Sequence, residues 1–365
     1  MATRQIAILV PQVPSGGEGV GDHALNVART LRASHDINSV FVPFHPANLR
    51  QIEGFEILRI EENSVAEIGA CCDGMLLHYV NYAYQRRGVP FRLRNLARSL
   101  RPLLRGRWVT MFHELYASGP PWKSAFWLRP WQVSIARSFI ELSDVCFVSN
   151  LAIEREIHRH DAGKAVRLVP VMSNFGEPQV TGFDRSPHQW TVCGGSALLA
   201  RSLDSLTRCI QLIPKWCAPE RLNVIGGHDT PALRRALDAL QTSEPHLTVH
   251  RFPDLTVPQA SALLLENGFA WIDYFGSGRV WPGMIFKSSS FAACCAHGII
   301  PVFSHSENDL GVDSDLLPGP FCIKQGKIEL PDRGELPTVR RQIYRWYQRH
   351  ASAAVTAAAY AEALS

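Results

Sequence analysis

The chain reads as an α/β protein built from two doubly wound, parallel-sheet domains, and three observations carry that reading. Short apolar runs alternate with amphipathic helical segments, glycines crowd the strand-to-helix junctions, and one irregular stretch interrupts a pattern that then restarts. At 365 residues, 46% apolar and 19% charged, two domains of ordinary size are expected rather than one oversized core.

In the first half the strand-like runs are QIAILVP, INSVFVPF, FEILRI, GMLLHYV, WVTMFHE, DVCFVSN and VRLVPV. The segments between them carry helical periodicity. DHALNVARTLRAS, for example, sets Ala24, Leu25, Ala28 and Leu31 on one face. Short strands apolar on both faces and separated by helices belong to parallel sheets. From Asn174 to Gln189, NFGEPQVTGFDRSPHQ holds two prolines, two glycines and little periodicity, which suits a linker. The strand pattern resumes with WTVCGG, RLNVIGG, HLTVHRF, FAWIDYF and IIPVFS, and Leu336–Ser365 adds one or two helices with no strand to follow. The expected division is a first domain over 1–180, a second over 187–335, and a helical tail over 336–365.

Composition narrows the function. No apolar run approaches the length of a membrane span, and IAILV after Met1 is a first strand without a cleavage-like segment, so a cytoplasmic protein is expected. Nine cysteines, an odd number with no C-x-x-C pair, point to buried free thiols rather than a disulfide framework or a zinc site. Fourteen scattered histidines give no metal-ligand spacing, so no metal is expected. A net charge of +4 with no recognition motif argues against nucleic acid. The charge is uneven, however. Residues 85–107 hold eight arginines and no acid, Arg86 to Arg107, with Phe91, Leu96, Leu100, Leu103 and Leu104 interleaved and Trp122, Trp127 and Trp131 following. That pattern serves a solvated helix face, or peripheral contact with an acidic membrane or a phosphorylated lipid carrier.

Four stretches are candidates for chemistry. The first is PSGGEGVGDHALNVARTL, with four glycines between Gly16 and Gly21. A dinucleotide turn needs G-x-G-x-x-G and an acid closing the second strand; here the third glycine position is Asp22, and the second strand ends in Phe44 and His45. A nicotinamide enzyme is thereby disfavoured. What remains is a glycine turn, Gly16, Gly17, Glu18 and Gly19, that lets backbone approach a ligand or simply joins strand to helix. In TMFHELY, His113 and Glu114 close a strand, where a histidine meets a sugar hydroxyl or caps the strand, and a carboxylate takes a proton or faces solvent. In CGGSALLARSLDSL, Gly195 and Arg201 flank a helix start suited to a diphosphate. In FKSSSFAACCAHG, Lys287 and Ser288, Ser289 and Ser290 crowd another helix N-terminus, as a phosphate site or as an N-cap cluster.

Taken together, GGEGVGDHALNVARTL, HYVNYAYQRRGVP, MFHELY, FVSN, the proline-glycine segment and FKSSSFAACCAHGIIPV resemble a bacterial family-4 glycosyltransferase of the GT-B fold, from Ile6 to about Phe303. The resemblance implies two facing Rossmann-like domains, the first for the acceptor and the second for a nucleotide-sugar donor, with a C-terminal helix crossing back. It implies that Gly16 and Gly17 approach the donor phosphates and sugar, that His113 contacts the transferred sugar, and that Arg201 takes the place of a diphosphate-binding lysine. It also implies that Lys287 and Ser288 to Ser290 lie beneath the donor, and that the segment from Arg251 and Phe252 to Asp254 reads the nucleobase through its backbone. One departure stands out. The family's two glutamates fall on Ile285 and Ala293, and its R-K-G is Ala200-Arg201-Ser202. Expected, then, is a retaining, metal-independent hexosyltransferase of cell-surface polysaccharide synthesis acting on a glycan or lipid-linked acceptor without a cofactor. A catalytically silent protein that binds a nucleotide sugar or glycan is the alternative the missing glutamates open. The only D-x-D, Asp313 to Asp315, is expected at the surface.

Overall fold

The computed structural model describes residues 4–13, 19–60, 65–117, 119–274, 282–305 and 309–365. The chain divides into two compact units, one of residues 1–170 with Ala353–Ser365, the other of Val171–Ser352.

The first unit holds a six-stranded parallel sheet. Its strands are β1 (Arg4–Val10), β2 (Ile37–Pro43), β3 (Gly74–Tyr79), β4 (Trp108–Phe112), β5 (Val145–Val148) and β6 (Val166–Leu168), in spatial order β2-β1-β3-β4-β5-β6. Every residue of β3 and β4 is buried, because helices cover both sheet faces. The longer helices between the strands are α1 (Gly19–His35), α2 (Phe91–Leu100), α3 (Ser124–Leu142) and α4 (Leu151–His160), and short helical turns lie at Val65–Ala70 and Asn81–Tyr84. Asn150 starts α4 with its side chain accepting from the amides of Ala152 and Ile153, so two otherwise orphaned donors are satisfied. The chain leaves β1 for β2 on one side and later returns to β3 on the other, which makes the C-terminal ends of β1 and β3 the topological switch point.

The second unit repeats the plan. Strands β7 (Gln189–Cys193), β8 (Arg221–Ile225), β9 (Thr248–Phe252), β10 (Phe269–Ile272), β11 (Ile300–Phe303), β12 (Phe321–Lys324) and β13 (Lys327–Ile328) lie in the order β9-β8-β7-β10-β11-β12-β13. All pairs are parallel except the closing β12–β13. Its helices are α5 (Ser196–Cys209), α6 (Pro231–Ser243), α7 (Val257–Leu265), α8 (Ser289–Ala296) and α9 (Leu336–His350). The switch point here falls between β7 and β10.

The units divide differently from the expected 1–180, 187–335 and 336–365. The irregular segment belongs to the second unit from Val171 onward, and of the tail only α10 (Ala353–Leu364) returns to the first unit. The reason lies in α9. Its Tyr347 hydroxyl accepts from the Ser173 amide at 2.9 Å and donates to Glu177 at 2.5 Å, and its Arg340 donates to the carbonyls of Phe183 and Arg185. These bonds tie residues 173–185 to α9. Helix α10 packs along α1, seats Tyr360 on Phe147 with ring centroids 4.4 Å apart, and holds Arg167 through Glu362 at 2.6 and 2.8 Å.

The Asp313-Ser314 turn also has a definite structure. Both residues are left-handed, at φ 47° and 66°, and join a two-residue hairpin, while Asp315 binds Arg349 and His350 at 2.7 Å each. This carboxylate is occupied by α9 side chains, whose hydrogen bonds, His350 first, lower its pKa. No helix among the described residues is long and apolar enough to cross a membrane.

Candidate functional site

In the first unit the switch point gathers three imidazoles. His23 comes from the second turn of α1, His78 from the end of β3, and His113 from the residue after β4. Their ring centroids form a nearly equilateral triangle with sides of 5.4, 5.3 and 5.4 Å. His78 Nδ1 lies 3.1 Å from His113 Nε2, so one of the two must donate. The remaining nitrogen of His78 is buried without a partner. An orphaned N–H is costlier to bury than a bare acceptor, so the proton of His78 belongs on Nδ1, donated to His113. Both nitrogens of His23 are buried without partners, and burial brings its pKa down to about 4; burial, then His113 and His23, push His78 far down as well. Sequence reasoning singled out His113 alone. His23 and His78 stand 55 and 35 residues or more from their neighbours in the triangle, and only the parallel sheet brings them together.

Glu114 follows His113 at the surface. The loop residues Gly16, Gly17 and Glu18 lie outside the described residues, whereas Gly19 opens α1 with open space where a Cβ would stand.

In the second unit the switch point is lined by glycine turns. Gly194 and Gly195 follow β7 and lead into α5, with Gly195 as its N-cap. Gly194 is left-handed at φ 134°, and a Cβ there would stand 2.4 Å from Ser290 Oγ. Gly226 and Gly227 follow β8, both at positive φ, and a Cβ on Gly226 would meet the Gly194 carbonyl at 2.8 Å. Ser196 Oγ binds the amide and carbonyl of His228 at 2.8 and 3.0 Å, locking this second turn to the start of α5. Gly194→Ala is therefore expected to destabilise the chain by about 2 kcal/mol, through its φ and the contact with Ser290. A lowered urea midpoint checks it, and an unchanged one refutes the reading of this turn.

Ser288 caps α8 by accepting from the Phe291 amide at 3.3 Å, Ser290 is buried against Gly194, Ser289 is half-buried, and Lys287 closes the preceding 3₁₀ turn. Arg201, in the second turn of α5, donates to the Asp273 carbonyl just past β10 at 3.4 Å. Asp273 itself is buried and missed by sequence reasoning. Its amide binds Ser202 Oγ at 3.0 Å and its carboxylate accepts from Ser304 at 2.8 Å, which fixes the C-terminal end of β10. Arg251 turns inward, donating to the carbonyls of Val224 at 3.3 Å and Gly227 at 2.5 Å, so its guanidinium braces the β8 turn. Phe252 accepts the Gly226 amide at 2.9 Å. Ile285 and Ala293 are fully buried, so no carboxylate stands at either position. The arrangement thus offers two helix N-termini and tight glycine turns at the C-terminal ends of the central strands, with Arg201 and Lys287 on the neighbouring helix and 3₁₀ turn, a set that suits an anion. Among the described residues, no group of three or more His, Cys, Asp or Glu side chains is disposed to hold a metal ion.

No family model matches the sequence, and no curated protein matches it. Solved structures do. An α-glucosyltransferase in complex with UDP is similar at TM-score 0.62 and 12% identity, over 99% of this chain and 100% of that one. The N-terminal domain of Candida albicans trehalose-6-phosphate phosphatase is similar at TM-score 0.62 and 9% identity, over 100% and 97%. The lipopolysaccharide outer core galactosyltransferase WaaB, in its apo form, is similar at TM-score 0.53 and 12% identity, over 98% and 99%. At such identities the likeness speaks for the fold. With its two doubly wound parallel sheets, the chain has the GT-B fold of two Rossmann-like domains.

Proposed function

We propose that the chain is a glycosyltransferase that moves a sugar from a nucleoside-diphosphate donor to a glycan or lipid-linked acceptor. The observation that supports this reading is the switch point of the second unit, where the Gly194-Gly195 turn packs on Ser290 at the start of α8 and Arg201 reaches the end of β10, with Lys287 just before α8 in the chain. When a nucleoside diphosphate leaves, charge grows on its β-phosphate. In this reading helix amides, Arg201 and Lys287 stabilise that charge without a metal, and the transfer is taken as retaining from the family resemblance. His113, positioned by His78, is the residue assigned to contact a hydroxyl of the transferred sugar. Glu114 is the acid nearest to it in the chain. A cytoplasmic location, peripheral contact with an acidic membrane through the basic region Arg86–Arg107, and a role in cell-surface polysaccharide synthesis complete the proposal.

A thermal-shift series with UDP, GDP, ADP, NAD and NADP tests the ligand class, with stabilisation by one nucleoside diphosphate and none by NAD or NADP expected. Lys287→Ala is expected to lower donor affinity and turnover together, at least about tenfold in kcat/KM. Unchanged kinetics with every nucleotide sugar that supports turnover would remove Lys287 from the site. Buried Ile285 and Ala293, where the resembling family carries glutamates, favour a second reading of a silent nucleotide-sugar binder. Slow donor hydrolysis by the purified chain selects the transferase, and tight binding without any turnover selects the binder.

A further inference from the structure

The first unit presents a surface that the donor chemistry does not use. Trp122 is 82% exposed, Trp127 69% and Trp131 56%, with Phe126 and Phe91 also exposed. Trp131 stacks edge-on against Phe91 at 5.9 Å, Phe126 against Trp127 at 5.3 Å, and Arg94 lies 5.1 Å over Phe91. Trp127 and Trp131 stand one helical turn apart on α3, so the two ring pairs follow one stretch of that helix to the start of α2, with Trp122 in the turn before α3. A cavity of about 480 Å³ opens on the same helix, lined by Gly119, Phe126, Trp127, Arg129, Pro130 and Val133.

The segment that carries this patch is basic. Residues 74–140 contain ten arginines, one lysine and a single acid, Glu114, although Arg101 and Arg137 are paired with Asp144 and Glu141 just beyond it. Arg86, Arg87 and Arg92 on the α2 side and Lys123 and Arg129 on the α3 side are exposed. Helix α2 packs on α3, and Gln132 of α3 donates to the Arg87 carbonyl at 3.0 Å, so the Arg86-Arg87 turn stands beside the helix that carries Trp131, while Arg92 lies over Phe44 at 6.0 Å.

We infer that the first two turns of α3, with Trp122 and the exposed arginines of α2, form an interfacial surface that lies in an anionic lipid bilayer. Tryptophan suits that depth because its ring is apolar and its N–H needs a polar partner, as the 2.7 Å bond from Trp127 Nε1 to the Pro121 carbonyl supplies. Cations level with the headgroups are drawn to acidic lipid, and the cavity gives an acyl chain an apolar recess. A second copy of the chain fits this face less well, since it would bring one basic surface against another. Nucleic acid would use the arginines but leave three large rings in water. The inference extends the membrane contact within the proposed function from an arginine segment to a defined aromatic surface, and it can be tested without any donor.

The test is flotation of the full chain with phosphatidylcholine vesicles, alone or with about one third phosphatidylglycerol, at low and high salt. Binding to the anionic vesicles only, weakened by salt and accompanied by a blue shift of tryptophan emission, is expected. The triple variant Trp122→Ser, Trp127→Ser, Trp131→Ser should lose at least about tenfold in partitioning while remaining folded at the assay temperature, since the rings are largely exposed and only the Pro121 bond and the Phe91 contact are lost. Arg86→Gln, Arg87→Gln, Arg92→Gln should weaken binding and flatten its salt dependence. Equal flotation of the tryptophan variant, no flotation of the parent chain, a dimer abolished by the tryptophan changes without lipid binding, or duplex nucleic acid bound in place of vesicles would each overturn the inference. A UDP melting shift measured on the same samples keeps the two readings apart. Its absence with flotation intact counts against the donor reading alone, and its presence without flotation counts against the lipid surface alone.

Discussion

Lowering the pH from 6.5 to 4 is expected to cost the fold about 3 kcal/mol through His23 alone. The imidazole is buried with neither nitrogen partnered, so the folded chain holds it neutral down to about pH 4, while the unfolded chain takes up a proton near 6.5. Between those values the unfolded state binds more protons. The stability is whole above pH 6.5, falls as the pH drops, and stops falling once the folded state is itself protonated near pH 4. His78, pushed down by burial and by its two imidazole neighbours, adds to the loss in the same direction. In the second unit His297 behaves likewise, since burial brings it down to about 4 despite its bond to the Ala293 carbonyl. Urea midpoints across this range read the effect directly. His23→Leu should flatten the pH dependence by about the share assigned to His23 and leave the chain at least as stable at pH 5, because an apolar side chain of similar reach removes a group that has no partner to lose. If the variant shows the parent's full acid sensitivity, His23 is solvated or partnered in the folded state and the triangle is not dry.

Those three histidines also show what a sequence conceals. The alternation of apolar runs and helical segments is a local property, so the strands, the helices and the two-unit α/β plan are legible without a structure. The order of the strands is not local. It decides that β1 and β3 are neighbours, that their C-terminal ends form the switch point, and hence that His23, His78 and His113 meet. In the second unit the candidate residues were easier to find because glycine turns and helix caps leave a local mark: Gly195 and Ser288 occupy the N-cap positions their surroundings suggest. Asp273 left no such mark. It ends the run FAWIDYF like any strand-terminal acid, and its role shows only in the bonds that Ser202 and Ser304 bring from two other elements. Arg251 makes the opposite point. A cation near a strand end looks available for a ligand, yet two backbone carbonyls already hold it.

The segment 174–189 is likewise held by bonds that no local pattern shows, and the largest effect expected from a single substitution falls on them. Prolines, glycines and weak periodicity mark it as a linker, but its carbonyls are bound by a residue more than 150 positions away. Arg340 is completely buried and donates to Phe183 at 3.1 Å, Arg185 at 3.2 Å and Gly268 at 3.3 Å, with its guanidinium 5.6 Å from the centre of the Phe269 ring. Burial, assisted by the nearby Arg185 charge, brings its pKa down to about 10, so it remains protonated at neutral pH. Three carbonyls thus share one charged fork, which joins the irregular segment and the turn before β10 to α9. Arg340→Met is expected to destabilise the chain by about 4 kcal/mol, because it leaves the Phe183 and Arg185 carbonyls without donors and removes one of the two donors to Gly268, whose carbonyl keeps the Ile300 amide. Arg340→Lys should recover little, since one ammonium group cannot reach three carbonyls in the geometry of a planar guanidinium. Gly268→Ala attacks the same joint from the other side, for a Cβ there would stand 2.5 Å from both Arg340 Nη2 and the Ser186 carbonyl. Urea denaturation gives the magnitudes, and hydrogen exchange gives the place: in each variant the amides of 173–188 should lose protection before those of β8 and β9. A methionine variant with the parent's midpoint and exchange pattern would mean that the carbonyls find other partners, and that this stretch is held to the second unit by something other than Arg340.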